Sequence, residues 1–291
     1  MQWKKELPAL RTLKNAPEQE QPAESVKRRL KNLQKRCWKS RGSGLSPACT
    51  LGGRMEGKMY SFESRVRFSE TDQDRRLTLG AIVDYFQDCS TFQSEDLGVG
   101  IVPLRERNLV WVLSYWQIII DEYPLLGDEI TICTHPHEFR GFMGLRNFYL
   151  KNAGGELTVQ ANSLWTLLDS NTMRPKRIPE DIQGLYTLEE KIPMHYASRK
   201  VALTGEETGL RPIPVEKRHL DCNGHVNNGQ YIHIAGLFLP EEKEVHQLRA
   251  EYRAQAHLGD IFYPYQYIDG EKIIITLCNR NKQPYVIVEF M

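Results

Sequence analysis

Three side chains suited to acid–base chemistry stand two apart in Asp221-Cys-Asn-Gly-His225, just ahead of an apolar run from Tyr231 to Leu239 that stops at Pro240. A carboxylate, an amide and an imidazole at that spacing can activate a water, orient a carbonyl and move a proton. The preceding residues, Pro212 to Leu220, read as extended from their prolines and apolar alternation, so Asp221 to Asn228 is expected to be a strand-to-helix turn. A lone Asp-x-Asn more often caps a helix, with a glycine such as Gly224 easing the bend. One cap needs one side chain, however, and here Asn227, Asn228 and Tyr231 crowd the same turn.

The elements that must hold this turn can be read along the chain. Tyr60 to Phe68 alternates as a strand, and Thr78 is expected to cap a helix running to Leu97 and closed by Gly98. Leu79, Ile82, Val83, Phe86, Cys89 and Leu97 fall on one face of that helix, which would be about 30 Å long. Strands are expected at 109–120, 130–134, 145–151 and 157–168, with Asn152-Ala-Gly-Gly155 as a hairpin turn. Residues 170–213, rich in proline and poor in period, read as a connector. Beyond it the plan repeats: a strand into Asp221, a helix from about Asn227 to Leu239, and strands at 245–253, 261–268, 272–277 and 285–290, with Asp269-Gly270 as a hairpin signal. Sliding the halves by 149 positions sets Asp72-Gln-Asp-Arg-Arg76 against Asp221-Cys-Asn-Gly-His225, each just before a helix. The chain therefore reads as an α+β fold made by duplication, with the imidazole in the second copy only.

Composition narrows the function. The 291 residues carry a net charge of +1, unevenly placed: residues 1–58 hold 14 Lys/Arg against 5 Asp/Glu, leaving 24 against 32 in the remainder. An acidic body argues against a nucleic-acid binder. No apolar run reaches membrane-spanning length, and six scattered cysteines without a Cys-x-x-Cys pair indicate a soluble protein of a reducing compartment, the cytoplasm. Residues 1–54 are polar and aperiodic and read as a disordered or non-native basic leader. A transit peptide, which would place the protein in the plastid stroma, is the alternative, although Glu6, Glu18, Glu20 and Glu24 spoil its acid-poor character. His135-Pro-His137 lacks further ligands for a metal, and Cys222 is expected to pack rather than react. The absence of Gly-x-Ser-x-Gly and of a glycine-rich phosphate loop argues against serine hydrolases and nucleotide enzymes.

The Asp221 turn, with Gly224-His-Val-Asn-Asn228 and Tyr231, resembles the active-site signature of acyl-acyl-carrier-protein thioesterases. Asn108-Leu-Val-Trp-Val112, Asp121-Glu-Tyr-Pro124, Ser163-Leu-Trp165 and Lys176-Arg-Ile-Pro-Glu180 resemble other landmarks of that family, so the likeness runs from about Met59 to Met291. The resemblance implies two tandem hot-dog units, each a long central helix wrapped by an antiparallel sheet. Residues 55–170 would shape the acyl pocket, 171–211 connect, and 212–291 carry catalysis, as a monomeric pseudo-dimer or a homodimer. It implies cofactor-free and metal-free hydrolysis of fatty acyl-carrier-protein thioesters, ending fatty acid synthesis, with an acyl-phosphopantetheine carrier as partner. Asp221, Asn223, His225 and Gln255 would be catalytic, and Ile82, Val83, Phe86, Trp111 and Asn227 would bind substrate. Arg140, Arg146, Arg174, Lys176 and Arg177 are candidates for meeting an acidic carrier. The chain departs from the family at Gln255 and Ala256, where an acid and a cysteine are expected. An amide orients water but does not accept a proton at neutral pH. An acyl-CoA thioesterase and a non-catalytic acyl-binding regulator are the rival readings.

Overall fold

The computed structural model describes residues 54–56 and 59–291, so residues 1–53 of the leader read as disordered lie outside the described residues. The chain runs through β1 (Arg54–Glu56), β2 (Met59–Arg65), α1 (Leu79–Asp96) and α2 (Ile101–Glu106). Next come β3 (Leu109–Ile120), β4 (Glu129–Arg140), β5 (Met143–Asn152), β6 (Leu157–Asp169) and α3 (Glu180–Gln183). Then follow β7 (Glu206–Gly209), β8 (Ile213–Pro214), α4 (Asn228–Gly236), β9 (Gln247–Tyr252), β10 (Ile261–Asp269), β11 (Lys272–Cys278) and β12 (Pro284–Phe290). The strands form one antiparallel sheet in the order β1-β2-β4-β5-β6-β3-β9-β12-β11-β10-β7, with β8 on β10. The arrangement is α+β, with few helices against a large sheet.

The two halves of the chain meet twice. In the sheet, β3 pairs with β9 from Tyr115 opposite Glu251 to Ile119 opposite Gln247. Next to this seam, Arg249 grips Glu289 of β12 through two hydrogen bonds of 2.6 and 2.9 Å, both side chains largely buried. The helices meet as well: a side chain at Gly80 of α1 would touch His233, and one at Gly229 of α4 would collide with Asp84. Two glycines thus allow close approach of α1 and α4. Ile82, Phe86 and Phe148 from the first half share a single core with Ile232, Leu248 and Val288 from the second. Burying such side chains is the main favourable term that holds the halves together.

Two expectations need correction. Pro212 to Leu220 is not one strand: only Ile213–Pro214 pairs, and a 3-10 turn at Lys217–His219 leads into Asp221. The second helix ends at Gly236 rather than Leu239, because Leu237, Phe238 and Leu239 donate three residues back in tightened turns before Pro240. The stretch read as a connector has partners in both halves. Glu190 O meets His135 Nε2 at 3.0 Å, the His195 carbonyl accepts from Gln117, and the Ser198 carbonyl accepts from Arg249. These residues form a strap held by strands of both halves, and β7 beyond it extends the sheet.

Candidate functional site

The Asp221 turn is built by its own carboxylate. Asp221 Oδ1 accepts the N–H of Asn223 at 2.8 Å and of His225 at 3.3 Å, while the Asp221 N–H donates to the His225 carbonyl at 2.8 Å. Gly224 closes the loop at φ 77°, in the left-handed region that favours glycine. Asn227 then caps α4, its Oδ1 accepting the Gly229 N–H at 2.7 Å. The first half makes the same turn 149 positions earlier. Asp72 Oδ1 accepts from Asp74 and Arg76, the Asp72 N–H donates to the Arg76 carbonyl, and Thr78 caps α1. Arg75, opposite Gly224 in this alignment, takes φ 65° without being glycine. The duplicated turn is therefore a fold device, and His225 in place of Arg76 is what distinguishes the second copy.

Asp221 and His225 are half-buried, and Asn223 is exposed. The His225 imidazole is held below its ordinary pKa, first by burial and then by the nearby His257, against the opposing pull of Asp221. At neutral pH it is an uncharged base. Gln255 is half-buried on the loop after β9, two residues before His257, and the His225 and His257 backbones form an isolated antiparallel bridge.

The site also draws on residues that sequence reading missed. Arg105 of α2 donates to Asn223 Oδ1 at 3.3 Å. Gln87 of α1 donates to Asn227 Oδ1 at 3.3 Å and accepts from Asn228 Nδ2 at 2.6 Å. Asp84 faces Gly229, its carboxyl raised to about 6 by burial and by the charges of Asp88 and Glu70. Each lies more than a hundred positions from the turn, and the only signal in the sequence was the amphipathic helix that carries Asp84 and Gln87. His257, close to the motif in space, is exposed and stacks its ring edge against His225.

The remaining candidates are dispersed. Ile82, Val83 and Phe86 are fully buried, with Phe86 against Phe148 and Trp116 at 5.2 and 5.9 Å between ring centres. Trp111 belongs elsewhere, packed with Phe139 on a second cluster around Leu109 and Ile182. Arg140, Arg174, Lys176 and Arg177 are exposed. Arg146 is buried, donating to Thr134 and lying over Phe148 and Tyr186, so it is removed from any surface patch. Cys222 is exposed, not packed: it sits at the tip of the turn, where alternation along a strand does not apply. Among the described residues no group of His, Cys, Asp and Glu is arranged to hold a metal ion, and no helix is long and apolar enough to cross a membrane.

Residues 57–186 match the acyl-ACP thioesterase N-terminal domain. The chain is 27% identical over 241 residues to the chloroplastic palmitoyl-acyl carrier protein thioesterase of Arabidopsis thaliana, covering 75% of this chain and 58% of that protein. It is 26% identical over 250 residues to the chloroplastic oleoyl-acyl carrier protein thioesterase 2 of the same plant, covering 75% and 66%. The chain thus spans little more than half the length of the first of these relatives. Its fold is similar to that of an acyl-ACP thioesterase from Bacteroides thetaiotaomicron, with a TM-score of 0.74 at 24% identity over 80% of this chain and 97% of that one. The 12:0-ACP thioesterase from Umbellularia californica gives 0.70 at 18% identity over 81% and 98%. The domain match and the relatives point to acyl-ACP thioesterases, and the fold is similar to that of a solved one.

Proposed function

We propose that this protein hydrolyses fatty acyl thioesters carried on the phosphopantetheine arm of an acyl-carrier protein, releasing the free acid and the thiol. The observation that carries this reading is the Asp221 turn, where an uncharged imidazole stands beside a carboxylate at the mouth of a helix. His225 takes a proton from water as it attacks the acyl carbon, and the Asp221 charge stabilises the imidazolium that forms. The positive end of α4, whose Gly229 N–H is already held by Asn227 Oδ1, faces the carbonyl oxygen as it gains charge. Asn223, steadied by Arg105, orients the water or the carbonyl, and the Gln255 amide adds a second orienting group. The proton returns to the leaving sulfur, and no cofactor or metal is used.

Two tandem hot-dog units, at 55–170 and 212–291 with the connector 171–211 between them, are the architecture of this reading. The turn repeated at an interval of 149 residues and the apposed glycines of α1 and α4 support it. The β3–β9 seam then does within one chain what a dimer contact does between two, as a monomeric pseudo-dimer or in a homodimer. Ile82, Val83 and Phe86 would set the acyl pocket and Asn227 its mouth, with Trp111 outside it. The exposed Arg140, Arg174, Lys176 and Arg177 offer the carrier a basic surface. The cytoplasm is the proposed location, with the plastid as the alternative because the plant relatives are chloroplastic.

Gln255 supports one rival, an acyl-binding protein without turnover, since its amide titrates nowhere near neutrality. Incubation with matched carrier-protein and CoA thioesters, followed by gas chromatography of released acids, decides between them. Preferred release from carrier-protein thioesters is expected. Faster CoA turnover would make the protein an acyl-CoA thioesterase, and binding without release would favour the regulator.

A further inference from the structure

The loop that follows β9 is fastened where it passes the Asp221 turn. The Val226 N–H donates to the Ala256 carbonyl at 3.0 Å, the Ala256 N–H donates to the buried Tyr231 hydroxyl at 2.8 Å, and the His257 N–H donates to Asp260 Oδ2 at 2.8 Å. With the backbone fixed on both sides, the His225 and His257 rings meet edge to face, their centres 4.8 Å apart and their planes at 75°. Their settings differ. His225 is half-buried, whereas the His257 side chain is largely exposed, with Nδ1 3.9 Å from Asp260 Oδ2. A cleft of about 350 Å³ opens beside Asp260, lined also by Ile261, Tyr263, Arg280 and Tyr285.

Two imidazoles this close do not both take a proton readily. We infer that His257 is a positioning residue of this site, its ring packed edge to face on His225 so that a charge there is disfavoured and His225 stays a free base. The inference rests on the hydrolase reading above. The charged and titratable groups that face the pair are Asp221 from the turn, Asp260 from the loop before β10, Tyr231 from α4 and, through Asn223, Arg105 from α2. Asp221 favours the charged form of His225 and His257 opposes it, which agrees with the lowered pKa of His225. Gln255, on the same loop, carries no titrating group and leaves this task to His257.

The test is a titration of the full chain by NMR of its histidine rings, with signals assigned by loss in His225→Ala and His257→Ala. The pH profile of kcat/KM on palmitoyl-acyl-carrier protein is measured beside it. Two charges about 5 Å apart near solvent shift each other's titration by about half a pH unit or more. In His257→Ala, and in His257→Gln, which keeps the bulk without the charge, the His225 midpoint and the acid limb of the rate profile are expected to rise by that amount. A His225 midpoint unmoved in both folded variants overturns the inference. If the unaltered protein releases no acid, the hydrolase reading fails instead, and the ring titration still decides whether His257 shifts His225.

Discussion

Gln87, in the middle of α1, holds the first turn of α4: its Oε1 accepts from Asn228 Nδ2 at 2.6 Å and its Nε2 donates to Asn227 Oδ1 at 3.3 Å. Asn227 is the cap of α4, so one side chain from the first half sets the position of the start of that helix.

Replacing Gln87 by Leu removes both bonds at a half-buried place, leaving Asn228 to seek water. A stability loss of about 1 to 2 kcal/mol is expected from the lost hydrogen bonds, with a fall in kcat of about tenfold for a displaced donor. Urea melts and steady-state rates on the same preparation check this. Unchanged kcat in the destabilised variant would make Gln87 a purely structural brace.

The carboxyl of Asp84, whose ordinary pKa is 3.8, is raised to about 6 mainly by burial and then by Asp88 and Glu70. Its folded form binds a proton more tightly than the unfolded chain, so its contribution to stability is greatest below about pH 4 and is lost as pH rises to about 6. Asp84→Asn is expected to flatten this part of the stability–pH curve, and urea midpoints at pH 4 and pH 7 for both proteins measure it. Parallel curves would mean that Asp84 titrates alike in the folded and unfolded states.

Enlarging Val83 to Phe is expected to shorten the preferred acid, and trimming Phe86 to Ala to lengthen it. A buried methylene is worth about 0.8 kcal/mol, enough to shift chain preference several-fold. Phe86 is packed against Phe148 and Trp116, so its loss also costs about 3 to 5 kcal/mol of stability. Gas chromatography of products beside melting curves separates the effects. Destabilised variants with an unchanged product distribution would make these residues ordinary core.

The sequence was most legible where local chemistry decides structure. Thr78 and Gly98 mark the ends of the first helix because capping and left-handed residues act within a turn, and the interval of 149 is visible because Asp72 and Asp221 organise their loops in the same way. Pro136 hid half of β4. The strand continues to Arg140 because the pairing with β2 ends at Thr134, so the missing N–H leaves no gap in that ladder. The strap across residues 189–198 has no period because its bonds run from its own backbone to Gln117, His135, Asn147 and Arg249. Gln87, Arg105 and Asp84 join the site only through packing of distant segments, and the lone spacing of His257 says nothing of its ring lying on His225.

The most direct test of the hydrolase account is turnover of palmitoyl-acyl-carrier protein by Asp221→Asn and His225→Ala. Asparagine keeps the Oδ1 that accepts the Asn223 and His225 amides, so the turn survives while the charge is removed. Each variant is expected to melt near the temperature of the unaltered protein and to lose about a hundredfold or more in kcat, the usual scale for an acid–base group. A folded Asp221→Asn or His225→Ala protein that turns over at the original rate would contradict the assignment of catalysis to this turn.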